Sequence, residues 1–191
     1  AIDEGVVVVG SAGNRDMHCA KLNDQDWDNI ISTTSTTRYY MRGSWPNTDD
    51  SGSVVTGSLS RDDDFRKSSF SNFGPGLDIF APGHNIYSSF GNTGSTDTKY
   101  TQGTANFYGN ISGTSMASPQ VCGVGALILQ TNPHMTPAEL KAFILGQSVG
   151  NMLYTTGLDN DYADSRSIKG GPNKYLKHPF PSEDVFKITH S

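Results

Sequence analysis

The chain has 191 residues, and its 14 Lys and Arg against 19 Asp and Glu give a formal net charge of −5. This length suits one domain, and the mildly acidic balance without a basic run argues against binding to nucleic acid. No apolar stretch approaches the roughly 18 to 20 residues that span a bilayer, so we predict no membrane span.

The first predicted element is a strand at residues 5–10, with the sequence GVVVVG. A β-branched run without polar alternation is typical of a parallel-sheet strand that is covered on both faces. The sequence SAGN at residues 11–14 then predicts a tight turn.

The next segment, residues 15–65, is polar and predicts a long surface insertion. Within it, residues 29–34 and 53–56 are candidate short strands. A further strand is predicted at residues 77–81, and the pair at residues 82–83, Pro and Gly, ends it with a strong turn signal.

Two helices follow. In residues 115–131 apolar side chains recur at helical spacing, which predicts a helix buried against the sheet, with Cys122 in its core. The second helix begins at Thr136, where Pro137 and Glu139 complete the pattern of a capping box.

The remaining part of the chain, residues 151–191, is polar and glycine-rich, so we predict a mostly irregular C-terminal tail. The two cysteines, Cys19 and Cys122, can form at most one disulfide, and their spacing fits no zinc pattern. We interpret both as free thiols, and they leave the redox compartment undecided.

The strongest functional signal lies at residues 113–121, GTSMASPQV. This segment resembles the nucleophile motif of the subtilisin-like serine proteases at every position except Gln120, where His is commoner. The resemblance implies that Ser115 is the nucleophile and that Thr114 belongs to the substrate-binding set. Independently, a Ser at the start of a buried helix has free amides and the positive end of the helix dipole beside it. The alternative is that Ser115 is only an N-cap.

A second resemblance covers residues 6–14, VVVVGSAGN, which are similar to the strand and turn that carry the family's oxyanion-hole asparagine. It implies that the Asn14 side chain and the Ser115 N–H form the oxyanion hole. It also implies that one wall of the pocket for the substrate side chain before the scissile bond is formed by Ser11, Ala12 and Gly13. A side-chain amide donates a hydrogen bond without needing a particular protonation state. The alternative is a turn in which Asn14 only adopts a left-handed conformation.

A third segment, residues 69–83 with the sequence SFSNFGPGLDIFAPG, is similar to the strand and turns that precede the nucleophile in these proteases. We interpret it as scaffold. Some relatives bind a weak calcium ion near this turn, so Asp78 is a candidate for a structural calcium site, the alternative being a solvated or turn-capping carboxylate. No metal ligand and no other cofactor is assigned.

The general base is missing from these motifs. A serine hydroxyl needs a neighbouring base that a third group orients, and in the family the Asp and His motifs precede the oxyanion asparagine. Only 13 residues precede Asn14, and all five histidines follow it, none within a His-Gly-Thr sequence. The Asp-Ser-Gly at residues 50–52 follows polar residues, so we interpret Asp50 as part of a solvated turn.

The resemblance implies an α/β fold, a three-layer parallel sheet with helices on both faces, of which residues 1–150 hold the C-terminal part. We therefore expect a serine endopeptidase that forms an acyl-enzyme on Ser115 and acts on proteins or peptides. Its partner would be an N-terminal segment of the same protease, separated by autoprocessing or joined in the full gene product, that carries the Asp and His. Without that segment this chain would be inactive.

The rival hypothesis is a non-catalytic structural or binding protein that keeps the protease scaffold, for instance on a virion. The glycine-rich stretch at residues 170–176 suggests docking onto a larger assembly. Either hypothesis favours an extracellular or virion-associated location over the cytoplasm.

Overall fold

The computed structural model describes residues 1–21, 30–32, 39–41, 52–61, 65–90, 99–102, 106–155, 166–168 and 170–179, with only the backbone described at 30–32, 39–41, 99–102 and 106–107. The strands are β1 (Val9–Ser11), β2 (Ile30–Ser32), β3 (Tyr39–Met41), β4 (Val54–Leu59), β5 (Ile79–Pro82), β6 (Ile86–Phe90), β7 (Lys99–Gln102), β8 (Asn106–Ile111), β9 (Val149–Gly150) and β10 (Lys174–Tyr175). The helices are a short 3-10 helix (Ile2–Glu4), α1 (Thr114–Thr131) and α2 (Pro137–Gln147).

The main sheet has five strands in the order β1-β4-β5-β10-β9. All neighbours are parallel except β9, which runs antiparallel to β10. The register places Ser11 opposite Thr56 and Gly57 opposite Phe80, so the carboxyl ends of β1, β4 and β5 lie at one edge. The predicted α/β class is confirmed.

Strand β1 is shorter than predicted. It begins at Val9, and Val6 is 52% exposed, so the expectation of a strand covered on both faces over residues 5–10 is wrong. In the described part of the chain, β1 has a hydrogen-bonded neighbour, β4, on one side only.

The predicted short strands within residues 15–65 correspond to β2 and β4, and β4 is a buried inner strand of the main sheet. Residues 22–29, 33–38, 42–51 and 62–64 lie outside the described residues, so the surface insertion itself stays a prediction.

Both described helices pack on the same face of the sheet. Their apolar side chains form one cluster with those of β4 and β5, made of Val54, Ile79, Ala81, Ala117, Val121, Ile128, Leu140 and Ile144. The predicted capping box is confirmed, since the Thr136 side chain accepts from Glu139 N and the Glu139 carboxylate accepts from Thr136 N.

The prediction that Cys122 lies in the helix core is wrong, because its side chain is exposed. The buried residues of α1 recur three or four apart, and Cys122 follows the buried Val121 directly. One residue later the helix has turned by about 100°, so Cys122 lies beside the buried contact between α1 and the sheet and not within it.

Loops cover the opposite face of the sheet. The apolar cluster there contains Cys19, a free and fully buried thiol, and also Ala12, Val55, Leu77, Phe80, Leu153 and Ile168. Two of its members, Leu153 and Ile168, come from residues 151–191, the predicted irregular tail. That segment also supplies β10, but residues 156–165, 169 and 180–191 lie outside the described residues, so the prediction for the tail as a whole stays a prediction.

A second sheet, antiparallel with the order β6-β8-β7, leads directly into α1. It therefore flanks the helix N-terminus. Neither α1 nor α2 is long and apolar enough to cross a membrane.

Candidate active site

The predicted nucleophile, Ser115, lies at the exposed N-terminus of α1. The cap residue is Gly113 and the helix begins at Thr114, so the interpretation of Ser115 as an N-cap is wrong. Neither the backbone N–H nor the hydroxyl of Ser115 hydrogen-bonds to a residue in the described ranges. The Ser115 N–H is thus available beside the positive end of the helix, where it can stabilise a developing negative charge.

The orientation of the Asn14 side chain is fixed by its contacts with Thr114. Its Oδ1 accepts a hydrogen bond from Thr114 N at 2.8 Å and one from Thr114 Oγ1 at 2.9 Å. Thr114 Oγ1 in turn accepts from Gly13 N at 3.0 Å. Because a backbone N–H can only donate, the Asn14 atom that faces it must be the oxygen. The Asn14 NH₂ group therefore points away from Thr114.

The backbone of Asn14 does not adopt a left-handed conformation, so the alternative interpretation of this residue is wrong. The positive φ values of the loop occur on either side of it, at Gly13 (99°) and at Asp16 (49°). A glycine and an aspartate are among the residues that tolerate that region best.

The two predicted oxyanion donors border the same space. A Cβ atom added at Gly113 would lie 3.2 Å from Asn14 Nδ2 and 3.7 Å from Ser115 N. Both donors thus lie near one point beside the nucleophile, and the absence of a side chain at Gly113 keeps that point open. An oxyanion placed there would accept from a side-chain amide and from a helix N-terminus together.

The predicted wall residues take different positions. Ser11 ends β1, and the side chain of Ala12 is fully buried in the loop-side cluster, while its N–H donates to Thr56 O at 2.9 Å. Thr114 is also buried, and its hydrogen bonds hold Asn14 and Gly13. Substrate contact by these four residues stays a prediction.

A groove of about 380 Å³ adjoins Ser115 on the side of the antiparallel sheet. Its lining combines α1 with β6 and the end of β8, namely Ile86, Ser88, Ser89, Phe90, Ile111, Ser115, Met116, Pro119 and Gln120. It is large enough to receive a side chain of a peptide that approaches the serine. Gln120, the position that departs from the family motif, is exposed in this groove.

No base for Ser115 is found among the described histidines, since the Ser115 hydroxyl has no hydrogen-bond partner in those ranges. The His84 ring instead accepts from Arg61 N at 3.5 Å and packs edge-on against Phe70. His190 and Asp50 lie outside the described residues.

Asp78 does not fit a calcium site. The Lys141 ammonium lies 3.0 Å from each of its carboxylate oxygens, and Val55 N donates to Oδ2 at 2.8 Å. Lys141 also donates to Ser53 O at 2.6 Å, so the ion pair ties α2 to the start of β4. A cation already occupies the position that a metal ion would take. The described residues also hold no cluster of three or more His, Cys, Asp or Glu side chains.

Sequence reasoning missed the buried polar side chains beneath the Asn14 loop. Lys67 and Asn72 are both fully buried, and both contact the loop at residues 12–17. Lys67 lies in a polar stretch that looks like surface, and Asn72 lies in the segment interpreted as scaffold. Neither has a local sequence signal, because the loop residues that they contact are more than 50 residues away along the chain.

The chain is similar in sequence to known serine proteases. The model of the subtilase family matches residues 1–169. The chain is 38% identical over 127 residues to alkaline serine exoprotease A of Vibrio alginolyticus, covering 63% of this chain and 21% of that protein. It is also 38% identical over 127 residues to an extracellular serine proteinase of Thermus sp. (strain Rt41A), covering 66% of this chain and 25% of that protein.

Among solved structures, a cold adapted subtilisin-like serine proteinase superposes with a TM-score of 0.61 at 26% identity. The superposition covers 94% of this chain and 48% of that structure. The chain thus spans a fifth to a quarter of the two curated relatives and about half of the solved one.

Proposed function

This chain belongs to the subtilase family, and we propose that it carries the nucleophile and the oxyanion hole of a serine endopeptidase. The observation that supports this most directly is the geometry at the start of α1. Ser115 is exposed there, and the Asn14 NH₂ group, turned outward by Thr114, borders the same space as the Ser115 N–H.

In the proposed reaction the Ser115 hydroxyl attacks the carbonyl carbon of the scissile peptide bond and gives its proton to a general base. The carbonyl oxygen becomes an oxyanion that accepts from Asn14 Nδ2 and Ser115 N. The C–N bond then breaks, the amine leaves with the proton, and an acyl-enzyme ester remains on Ser115. Water hydrolyses this ester and releases the acid product.

We propose that the general base and its orienting carboxylate come from a segment of the same protease outside these 191 residues. The described residues offer the Ser115 hydroxyl no partner, and the edge of the main sheet at β1 has a docking place for such a segment. An apolar groove of about 160 Å³ lies there between β1 and the two helices. Its lining is Val7, Val9, Val121, Cys122, Gly125, Ala126, Leu129, Leu140 and Ile144.

The substrates proposed are proteins or peptides, and the proposed location is extracellular, as the name of the Thermus relative states for that protein. The non-catalytic alternative is a scaffold protein on a virion or another assembly. It gives no role to the Asn14 NH₂ group, which is oriented away from Thr114. We therefore favour the enzyme.

Labelling of the full-length protein with a fluorophosphonate probe tests the nucleophile. We expect the label on Ser115, and we expect Ser115→Ala to abolish both labelling and peptidase activity with an unchanged Tm. Ser118→Ala, which removes a half-buried hydroxyl one helical turn further along α1, is the matched control and should keep both. Hydrolysis that persists in the Ser115→Ala protein would refute the assignment.

Thiol alkylation tests the docking of the second segment. Cys122 borders the apolar groove and is exposed in this chain, whereas Cys19 is buried. In the native full-length protein we expect Cys122 to be protected as strongly as Cys19, with both becoming reactive in urea. Peptide mapping of the same preparation should find a His-Gly-Thr segment. Rapid alkylation of Cys122 in the native protein would show that nothing covers the groove.

A further inference from the structure

We infer that Asn72 is a positioning residue for the oxyanion hole, which it serves by fixing the loop that carries Asn14. This inference rests on the proposed function and adds a role for the segment at residues 69–83, which the sequence indicates only as scaffold. Asn72 does not border the reacting atoms. Its effect would pass through the backbone of the loop to the Asn14 amide.

Asn72 forms hydrogen bonds with the loop that carries Asn14, both before and after Asn14. The Oδ1 atom accepts from Arg15 N and from Met17 N, both at 3.1 Å. The Nδ2 atom donates to Ala12 O at 2.7 Å, and the backbone N–H donates to Gly13 O at 2.9 Å. Four hydrogen bonds from one residue thus hold two positions before Asn14 and two after it.

Burial makes these bonds hard to replace. Asn72 is fully buried, so no water takes over a lost hydrogen bond without rearrangement of the surroundings. The orientation of its amide is fixed, because Met17 N must face an acceptor and Ala12 O must face a donor. The loop therefore has one position in which all of these groups are satisfied.

A second tether on the same loop points to the same role. The Lys67 ammonium is fully buried and lies 2.8 Å from Asp16 Oδ1, and it also donates to Ser71 O at 2.7 Å. Asp16 has a φ of 49°, and its N–H donates to Phe70 O at 2.9 Å. A non-glycine residue in that region costs backbone energy and persists where its surroundings hold it.

Two different elements thus control the Asn14 amide. Thr114 on α1 sets the rotation of the side chain by binding its Oδ1, while Asn72 sets the location of the backbone from which that side chain projects. A shift of about 1 Å in a catalytic donor can lower the rate by about 10²-fold. Asn72 would therefore influence kcat without touching the substrate.

The test is a double-mutant cycle in the full-length protein. Asn72→Asp keeps the acceptor for Arg15 N and Met17 N but replaces the donor to Ala12 O with a second oxygen, which shifts the loop. We expect kcat to fall by about 10-fold to 100-fold with KM changed by less than about twofold. In the Asn14→Leu background the same substitution should lower kcat by less than about twofold, because the amide that it displaces is gone.

The matched control is Asn173→Asp. Asn173 Oδ1 accepts from Leu153 N at 2.8 Å and its Nδ2 donates to Leu153 O at 3.0 Å, which is the same donor and acceptor pattern at a site without a catalytic group. We expect this variant to lower Tm while leaving kcat within about twofold of the wild type. The contrast separates positioning from general destabilisation.

If the kcat losses of Asn72→Asp and Asn14→Leu multiply fully in the double variant, the inference is wrong. It is also wrong if Asn72→Asp raises KM and leaves kcat unchanged. Either result would leave the proposed function intact. A wild-type kcat in Asn14→Leu alone would overturn the proposed oxyanion hole, and the inference with it. If Asn72→Asp does not unfold cooperatively, Asn72→Ser, which introduces no charge, takes its place in the same cycle with the same two criteria.

Discussion

The two faces of the main sheet are covered in different ways. On one face, α1 and α2 pack through aliphatic side chains such as Val121 and Leu140. On the other, loops pack over a layer that includes the buried polar residues Lys67, Ser71 and Asn72. The helix that carries Ser115 lies on the first face, and the loop that carries Asn14 is held from the second.

We expect the helix face to determine the stability of the fold, and the loop face to determine the exact position of the Asn14 loop. Apolar burial is non-directional and scales with area, so it fixes a helix firmly without demanding one orientation for any single group. Hydrogen bonds depend steeply on distance and angle, so a buried polar network permits one arrangement of the loop. Substitutions on the helix face should therefore act on the free energy of unfolding, and substitutions at the Asn14 loop on the rate of reaction.

The largest expected effect on activity is that of Asn14→Leu. The amide that borders the oxyanion space is lost, so kcat should fall by about 10²-fold to 10³-fold while KM changes little. Steady-state kinetics of the full-length protein on a peptide substrate measure this. Asn132→Leu, at the exposed C-terminal end of α1, is the control and should leave kcat unchanged. An effect of the same size on KM, with kcat unchanged, would indicate a binding role instead.

On the helix face, Ile128→Ala should destabilise the protein by about 2 to 5 kcal/mol and leave kcat nearly unchanged. Ile128 is buried in the cluster that α1 forms with β4 and β5, and it does not line the apolar groove at β1. Urea unfolding in the Ser115→Ala background, which prevents self-digestion, measures the free energy of unfolding. A fall in kcat as large as that of Asn14→Leu would break the division between the two faces.

Thr114→Val sharpens the comparison, because Thr114 belongs to α1 but binds the Asn14 loop. The substitution keeps the shape of the side chain and removes its hydrogen bonds to Asn14 Oδ1 and from Gly13 N. A loss of about 1 to 2 kcal/mol in transition-state stabilisation, roughly tenfold in kcat, is expected. Lowered stability with an unchanged kcat would mean that Thr114 N alone orients the amide.

Local signals in the sequence were enough for the helices and for the position of Ser115. The helical spacing and the capping box predict both ends of α1 and the start of α2 to within a residue, because both signals involve residues close together in sequence. The exposed position of Ser115 at the start of α1 follows from the same pattern. Cys122 shows where this kind of prediction fails. Small and apolar residues occur on more than one side of α1, so their spacing does not tell which side faces the sheet.

The parts that the sequence did not predict depend on long-range partners. Lys67 is buried because Asp16 and two carbonyl groups receive its ammonium, and Asp78 pairs with Lys141 across 63 positions. A charged residue in a polar stretch gives no sign of such a partner. The position of Ser115 is thus predictable from the sequence, whereas the buried groups that hold the Asn14 loop are not.

The smallest expected effect concerns the thiol of Cys19, which lies on the loop face. Burial raises the pKa of Cys19 from 9.0 to about 12, against a smaller lowering by its hydrogen bond with Asn72. The folded state thus favours the neutral thiol, so this contribution to stability is complete below pH 9 and is lost as the pH rises towards 12.

Between pH 8 and pH 10 the free energy of unfolding of the wild type should fall by about 1 kcal/mol more than that of Cys19→Ala, both in the Ser115→Ala background. Urea unfolding at both pH values measures this difference. If the free energy of unfolding changes equally with pH in the wild type and in Cys19→Ala, then water reaches the thiol of Cys19. The loop over this face would then be looser than its hydrogen bonds indicate.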